Sequence, residues 1–98
     1  MPVAIVQDWI EEETDRSTAS YDAVSARLQE GQMPPDGMLV HTAGFTGQGF
    51  RIFEVWETRE QFDRFLHEQL LPLIAEVGRS DSTAPQLTAY ELHGYMTA

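Results

Sequence analysis

His41 and Glu54 are the residues of this 98-residue chain whose types and spacing best suit acid–base chemistry. They lie in two apolar runs that flank the segment 46–49, Thr-Gly-Gln-Gly, and such a glycine-rich segment is typical of a hairpin turn. A hairpin centred on Gly47-Gln48 predicts these cross-strand pairs: Phe45 with Phe50, Ala43 with Ile52, His41 with Glu54, and Leu39 with Trp56. The register therefore places an imidazole beside a carboxylate on one face of a sheet.

Such a pair has two interpretations. An imidazole beside a carboxylate in an apolar pocket has a defined tautomer and a shifted pKa, and it can accept or donate a proton. We therefore predict His41 as a catalytic acid or base and Glu54 as its orienting partner. The structural alternative is that the two side chains only satisfy each other's hydrogen bonds in the core.

Aromatic and polar residues of the neighbouring elements are expected on the same face. Tryptophan and phenylalanine rings would supply flat walls for an aromatic ligand, although core packing is the usual role of a residue such as Trp56. A metal site built from His41, Glu54 and His93 has no spacing signature, so no metal is predicted. The predicted ligand-binding residues are Gln7, Trp9, Trp56, Phe62, Phe65 and Glu91.

Hydrophobic periodicity and capping residues predict the elements that must position this pair. Thr58 and Gln61 fit a capping box at the start of the second helix. Pro72 should kink or break that helix near Leu70-Leu71. The predicted elements are a strand at 3–10, a helix from about 18 to 30, strands at 38–45 and 50–57, a helix from 58 to 77, and a strand at 87–96.

The predicted order β-α-β-β-α-β defines an α+β, ferredoxin-like subunit with a four-stranded antiparallel sheet and both helices on one face. Large apolar side chains are expected on both faces of the sheet. In strand three, Phe50, Ile52 and Trp56 point one way, whereas Phe53 and Val55 point the other way. A sheet that is apolar on both faces but covered by helices on only one needs a partner, so we predict a homodimer packed sheet to sheet.

Composition excludes several classes of function. The length suits a single domain over residues 1–98. The formal net charge of −10 disfavours nucleic acid and anionic membranes as partners. The absence of cysteine excludes disulfides, thiolate catalysis and cysteine-ligated metals. No dinucleotide or phosphate-loop motif is present, so no cofactor is predicted. With no apolar run long enough for a signal peptide or a membrane span, a cytoplasmic protein is expected.

The chain also resembles a known family. Val55-Trp56-Glu57-Thr58 leads directly into Phe62 and Phe65, and with the element order this resembles the dimeric α+β barrel superfamily, more narrowly the antibiotic biosynthesis monooxygenase-like proteins. The resemblance implies a barrel dimer with a ligand cavity between sheet and helices in each subunit. Some members oxidise aromatic polyketides with oxygen and no added cofactor, whereas others degrade haem or isomerise lactones.

The helix histidines of two groups within that family are missing from this chain. Haem-degrading members carry a helix histidine about nineteen residues after the strand tryptophan, and this chain has Ala75 at that position. Many monooxygenase-like members carry a histidine about nine residues after the tryptophan, and this chain has Phe65 there. Haem degradation is therefore not expected, and His41 is a feature of this sequence rather than a residue carried over from the family. The other activities in the family predict an enzyme acting on an aromatic or polyketide-like molecule by oxygenation or proton-transfer isomerisation. The alternative is a non-catalytic homodimer that binds a small ligand or serves in stress.

Overall fold

The computed structural model describes residues 2–10, 19–31, 34–77 and 86–96. It has one four-stranded sheet with helices inserted in the predicted β-α-β-β-α-β order, which confirms the ferredoxin-like α+β fold class. The elements are β1 (Val3–Ile10), α1 (Ala19–Leu28), β2 (Met38–Phe45), β3 (Gly49–Trp56), α2 (Arg59–Phe65), a π-helical turn (Leu66–Leu70), α3 (Leu71–Val77) and β4 (Gln86–Glu91).

The sheet has the strand order β2-β3-β1-β4, and each neighbouring pair is antiparallel. The register of β1 on β3 opposes Ile5 to Glu54 and Gln7 to Ile52. Because side chains alternate along a strand, these residues share the sheet face that packs on the helices. Phe53 and Val55 lie on the opposite face, which we call the open face, as the alternation of strand three predicted.

The hairpin register predicted from the turn holds around the candidate pair. His41 opposes Glu54, and Phe45 opposes Phe50. The predicted pairing of Leu39 with Trp56 is wrong, because a bulge between Met38 and Val40 gives that position to Met38. A bulge adds one residue to a strand and re-aims its side chains, so Met38 packs on the core while Leu39 is exposed.

The second helical stretch begins as predicted and then changes its winding. The Thr58 side chain accepts a hydrogen bond from the Gln61 backbone N–H at 3.2 Å, and its hydroxyl donates to the Gln61 side chain at 3.0 Å. The interruption predicted from Pro72 takes the form of the π-helical turn, where the Leu71 N–H bonds to the Leu66 carbonyl. A proline lacks the N–H of a regular turn and clashes with the carbonyl four residues earlier, so wider winding just before Pro72 accommodates its ring.

The core lies between the sheet and this helical stretch. Trp56 and Phe62 are fully buried, with ring centroids 5.7 Å apart in an edge-to-face arrangement. The Phe65 ring also packs against the indole, with ring centroids 5.4 Å apart. Val3 and Ile5 of β1 complete the buried cluster. Offset and edge-to-face aromatic contacts are favourable beyond their buried area, so this cluster anchors the end of β3.

The outer elements are shorter than predicted. Helix α1 ends at Leu28 rather than at Glu30. The fourth strand ends at Glu91 rather than at Met96, and its last residue pairs with Val3 of β1. The Leu92 N–H makes a last bond, at 2.9 Å, to the carbonyl of Pro2. Among the described residues, no helix is both long enough and apolar enough to cross a membrane.

Candidate active site

The centre of the candidate site is the contact between His41 on β2 and Glu54 on β3. The His41 Nδ1 lies 2.6 Å from the Glu54 Oε2 across the hairpin. The Glu54 side chain is only 6% exposed, whereas that of His41 is 37% exposed. The pair therefore joins a buried carboxylate to an imidazole that solvent or a ligand can reach.

Trp56 holds the other oxygen of the same carboxylate. Its indole Nε1–H donates to the Glu54 Oε1 at 3.0 Å, from two residues along the same face of β3. An indole N–H can only donate, so Glu54 must accept at this oxygen. No buried side-chain nitrogen or oxygen within the described part of the chain lacks a hydrogen-bond partner. The two contacts, one on each oxygen, hold the Glu54 carboxylate in place beside His41.

The pair opens onto a cavity of about 730 Å³ between the sheet and the helices, which we call the helix–sheet cavity. This volume is within the range of small-molecule sites. Its lining is mostly apolar, with a few polar side chains on two opposing walls. The lining residues are Gln7, Trp9, Val24, Ser25, Leu28, Gln29, Pro34, Met38, His41, Ile52, Glu54, Phe65 and Leu70.

Five of the eight residues predicted for the site come together around this cavity: Gln7, Trp9, His41, Glu54 and Phe65. Trp56 and Phe62 do not line it, because both are fully buried in the core. Trp56 acts on the site through its hydrogen bond to Glu54, so its place agrees with the core-packing alternative. Glu91 is exposed at the end of the edge strand β4 and is not a lining residue. His93 lies beyond the end of that strand and is exposed.

One wall of the cavity was missed from the sequence. Helix α1 contributes Val24, Ser25, Leu28 and Gln29, and the Gln29 Nε2 donates to the Ser25 Oγ at 3.3 Å. Ser25 and Gln29 are four residues apart and directly follow the apolar pair Val24 and Leu28. This spacing puts both polar side chains beside an apolar stripe, but a solvated helix face has the same pattern.

Aromatic rings extend one end of the cavity. The rings of Trp9 and Phe50 lie 6.3 Å apart, and Phe45 packs edge-on against Phe50 at 5.1 Å. Trp9 lines the cavity, whereas Phe45 is 40% exposed. The aromatic row therefore runs from the cavity towards the hairpin end of the sheet.

A bidentate ion pair between Arg51 and Asp8 lies on the open face, away from the cavity. The Arg51 Nε donates to the Asp8 Oδ1 at 2.7 Å and its Nη2 donates to the Oδ2 at 3.2 Å. The hydrogen bond to Asp8, followed by the negative charge of that carboxylate, raises the pKa of Arg51 above its usual value. Within the described ranges, no three histidine or carboxylate side chains are grouped closely enough to hold a metal ion.

Comparison with known proteins assigns the fold. Neither a protein-family model nor a curated protein matches the chain by sequence. Among solved structures, Rv0793 from Mycobacterium tuberculosis aligns with a TM-score of 0.72 at 18% identity over 99% of this chain and 100% of its own. SnoaB, a cofactor-independent oxygenase from Streptomyces nogalater, aligns with a TM-score of 0.67 at 18% identity over 99% of this chain and 98% of its own.

A third structure, a proposed antibiotic biosynthesis monooxygenase from Deinococcus radiodurans, aligns with a TM-score of 0.67 at 17% identity over 100% of this chain and 98% of its own. The alignments span each chain almost completely, so the whole chain has the fold of the antibiotic biosynthesis monooxygenase-like proteins. The resemblance predicted from the strand-end tryptophan and the element order is confirmed at the level of the fold. Activity is a separate question, because one fold of this kind serves many functions.

Proposed function

We propose that the protein is a small enzyme that acts on an aromatic or polyketide-like molecule without an added cofactor. The observation that carries this proposal is the 2.6 Å contact between His41 and Glu54 at the wall of a cavity of about 730 Å³. The fold is shared with SnoaB, which is described as a cofactor-independent oxygenase. In this proposal His41 is the acid or base, and Glu54 is the residue that orients it.

The hydrogen bonds around Glu54 indicate which nitrogen of His41 would react. Trp56 donates to one oxygen of Glu54, and the His41 Nδ1 lies against the other. A carboxylate that accepts from both neighbours holds the Nδ1–H tautomer of the imidazole, so the lone pair is on Nε2. A neutral imidazole in this tautomer can take a proton at Nε2 and return it to a different atom of the substrate.

Oxygenation and isomerisation begin with the same step in this site. His41 removes a proton either from a carbon next to a carbonyl, which leaves an enolate, or from a phenol hydroxyl, which leaves a phenolate. For isomerisation, the imidazolium returns the proton to another carbon. For oxygenation, the substrate anion reduces dioxygen. In the net reaction, a CH2 group and O2 become a C=O group and water, and this reaction balances without a metal or flavin. Dioxygen is then the oxidant, and the protein supplies the base and the apolar cavity.

The proposal includes a homodimer in which two open faces pack together. On this face Ala4 and Val55 are buried already within one subunit, while Val6 and Phe53 are half-buried. Tyr90 on β4 is 49% exposed on the same face. Antiparallel sheets bury one face on their own helices, so an apolar second face favours a second copy as its cover. A cytoplasmic location stays a prediction.

A non-catalytic ligand-binding protein is the second candidate. The mostly apolar lining of the helix–sheet cavity favours it, because such a cavity can hold a hydrophobic molecule without transforming it. In that case the contact between His41 and Glu54 is structural, and its loss would change stability rather than chemistry. A role in stress, the other form of this alternative, has the same structural requirements.

The two candidates differ in what His41→Ala does. Uncharged hydroxyaryl ketones would be incubated with the protein in air and under argon, and product and oxygen consumption would be measured. The enzyme proposal expects turnover by the parent protein and its loss in His41→Ala, with the fold and the oligomeric state unchanged in circular dichroism and sedimentation. Binding without turnover by the parent protein favours the ligand-binding candidate, and unfolding of His41→Ala favours a structural pair.

A further inference from the structure

We infer that the helix–sheet cavity selects uncharged aromatic ligands over anionic ones, and that Ser25 and Gln29 of α1 form a second recognition point facing the sheet. The inference rests on the proposed role of this cavity as a ligand site, and it specifies the chemical class of that ligand. Its test is a binding measurement and therefore does not depend on whether the bound molecule is transformed.

The first argument is the distribution of charge around the cavity. All six basic residues of the chain are arginines. None of the described ones, at positions 27, 51, 59 and 64, is a lining residue. Three of these have carboxylate partners elsewhere: Arg27 with Glu30, Arg51 with Asp8, and Arg59 with Asp63. Glu54, by contrast, is a lining residue with a buried side chain.

With His41 in its neutral form, a bound anion would therefore meet a carboxylate without a compensating cation in the described wall. Like charges at short range in a partly desolvated site repel each other, and desolvation itself disfavours a charged ligand. The net charge of −10 adds a repulsive field around the whole protein. A phenol or a ketone avoids both costs, because it carries no charge and still exchanges hydrogen bonds with an imidazole.

The second argument is the chemistry of the α1 wall. Ser25 and Gln29 are one helical turn apart and joined by a 3.3 Å hydrogen bond, and both line the cavity. A primary amide and a hydroxyl can each donate and accept, and neither is charged. They suit a second neutral oxygen, such as a hydroxyl or carbonyl, on the ligand edge away from the pair of His41 and Glu54. The ligand class is thus an uncharged, planar molecule with neutral oxygens on two edges.

The test compares naphthalen-2-ol with naphthalene-2-carboxylate, which share one bicyclic ring system. At pH 7.5 a phenol is protonated and an aromatic carboxylate is ionised. Affinities measured by NMR titration of the complete protein should favour naphthalen-2-ol by at least tenfold. Gln29→Arg should reduce or reverse that ratio, because it places a cation in the cavity wall. Gln48→Arg, which adds the same charge in the exposed hairpin turn, should leave the ratio unchanged.

A second comparison tests the α1 wall alone. Naphthalene-2,6-diol carries a neutral oxygen on both edges and should bind the parent protein several-fold more tightly than naphthalen-2-ol. Gln29→Leu should remove that gain while it leaves the affinity for naphthalen-2-ol unchanged. Gln29 is exposed, so neither substitution at this position should unfold the protein.

Several results would overturn the inference. Equal affinity for the two probes, tighter binding of the carboxylate, or no binding of either probe at millimolar concentration each contradicts selection for uncharged aromatic molecules. A diol that gains nothing over naphthalen-2-ol contradicts the second recognition point. If the selectivity holds while no turnover is found, the proposed enzyme activity fails and the ligand class stands.

Discussion

The hydrogen bond from Trp56 to Glu54 allows a quantitative test of how the site is held together. Trp56→Phe removes the indole N–H but keeps an aromatic ring in the same position. The Trp56 Nε1 donates to the Glu54 Oε1 at 3.0 Å, and Trp56 is fully buried. The substitution therefore leaves a buried carboxylate oxygen without that donor.

Two terms set the size of the expected effect. A hydrogen bond to a charged group contributes about 1.5–3 kcal/mol, and a buried acceptor without a partner loses stability of this order. The smaller ring also leaves space against Phe62 and Phe65, which adds about 1 kcal/mol. The free energy of unfolding should fall by roughly 3 kcal/mol in total, which for a domain of this size corresponds to a fall in Tm of more than about 10 °C.

A double-mutant cycle separates the two terms. Urea unfolding, at one fixed protein concentration, would be compared for the parent protein, Trp56→Phe, Glu54→Leu and the double variant. If the indole–carboxylate bond is formed in solution, the coupling energy should be about 1.5–3 kcal/mol. A coupling below about 0.5 kcal/mol would refute the reasoning, because the loss of stability would then come from the cavity alone.

Three further predictions concern the supports of the site. Gly37→Ala should lower the free energy of unfolding in urea by about 1–2 kcal/mol, because Gly37 has φ +91° and an added Cβ would lie 2.4 Å from the Gln61 side chain. Gly44→Ala is the control and should be tolerated, because an added Cβ there meets nothing within 4 Å. Arg51→Met should lower stability equally at pH 6 and pH 9. The pKa of Arg51 is raised in the folded state, so its contribution is fully present at every pH below the ordinary arginine pKa and does not titrate between these two values; a loss at only one of them would contradict the prediction. Tyr90→Asp should convert the proposed dimer to monomer in sedimentation, whereas a monomeric parent protein would remove the basis for that dimer.

The register of the candidate pair could be predicted because it depends on local signals. A short glycine-containing turn between two apolar runs fixes which residues of a hairpin oppose each other, and only one register buries the apolar face. His41 and Glu54 were therefore placed correctly from sequence. The prediction failed at Leu39, where a bulge shifts the pairing by one residue, and bulges leave little trace in a hydrophobic pattern.

The family resemblance implied a cavity between sheet and helices, but its lining could not be predicted from the residues, since the lining depends on how far α1 stands from the sheet. Trp56 and Phe62 have the residue types of a ligand wall, but packing between the sheet and α2 buries both. Ser25 and Gln29 are polar residues at helical spacing, which sequence alone cannot distinguish from a solvated helix face. Only the packing of the helix on the sheet decides which side chains become lining residues.

The most direct test of the central claim is proton abstraction from a neutral ligand under argon. 2-Tetralone has acidic C–H bonds beside both a carbonyl and an aromatic ring, and their exchange with deuterium in D2O can be followed by NMR. We predict that the parent protein accelerates this exchange over buffer by about 10²-fold or more, and that His41→Gln returns the rate to that of buffer. His67→Gln, at an exposed histidine of the π-helical turn, should keep the full rate. Exchange that is no faster than in buffer, or that survives His41→Gln, would contradict the assignment of His41 as the base.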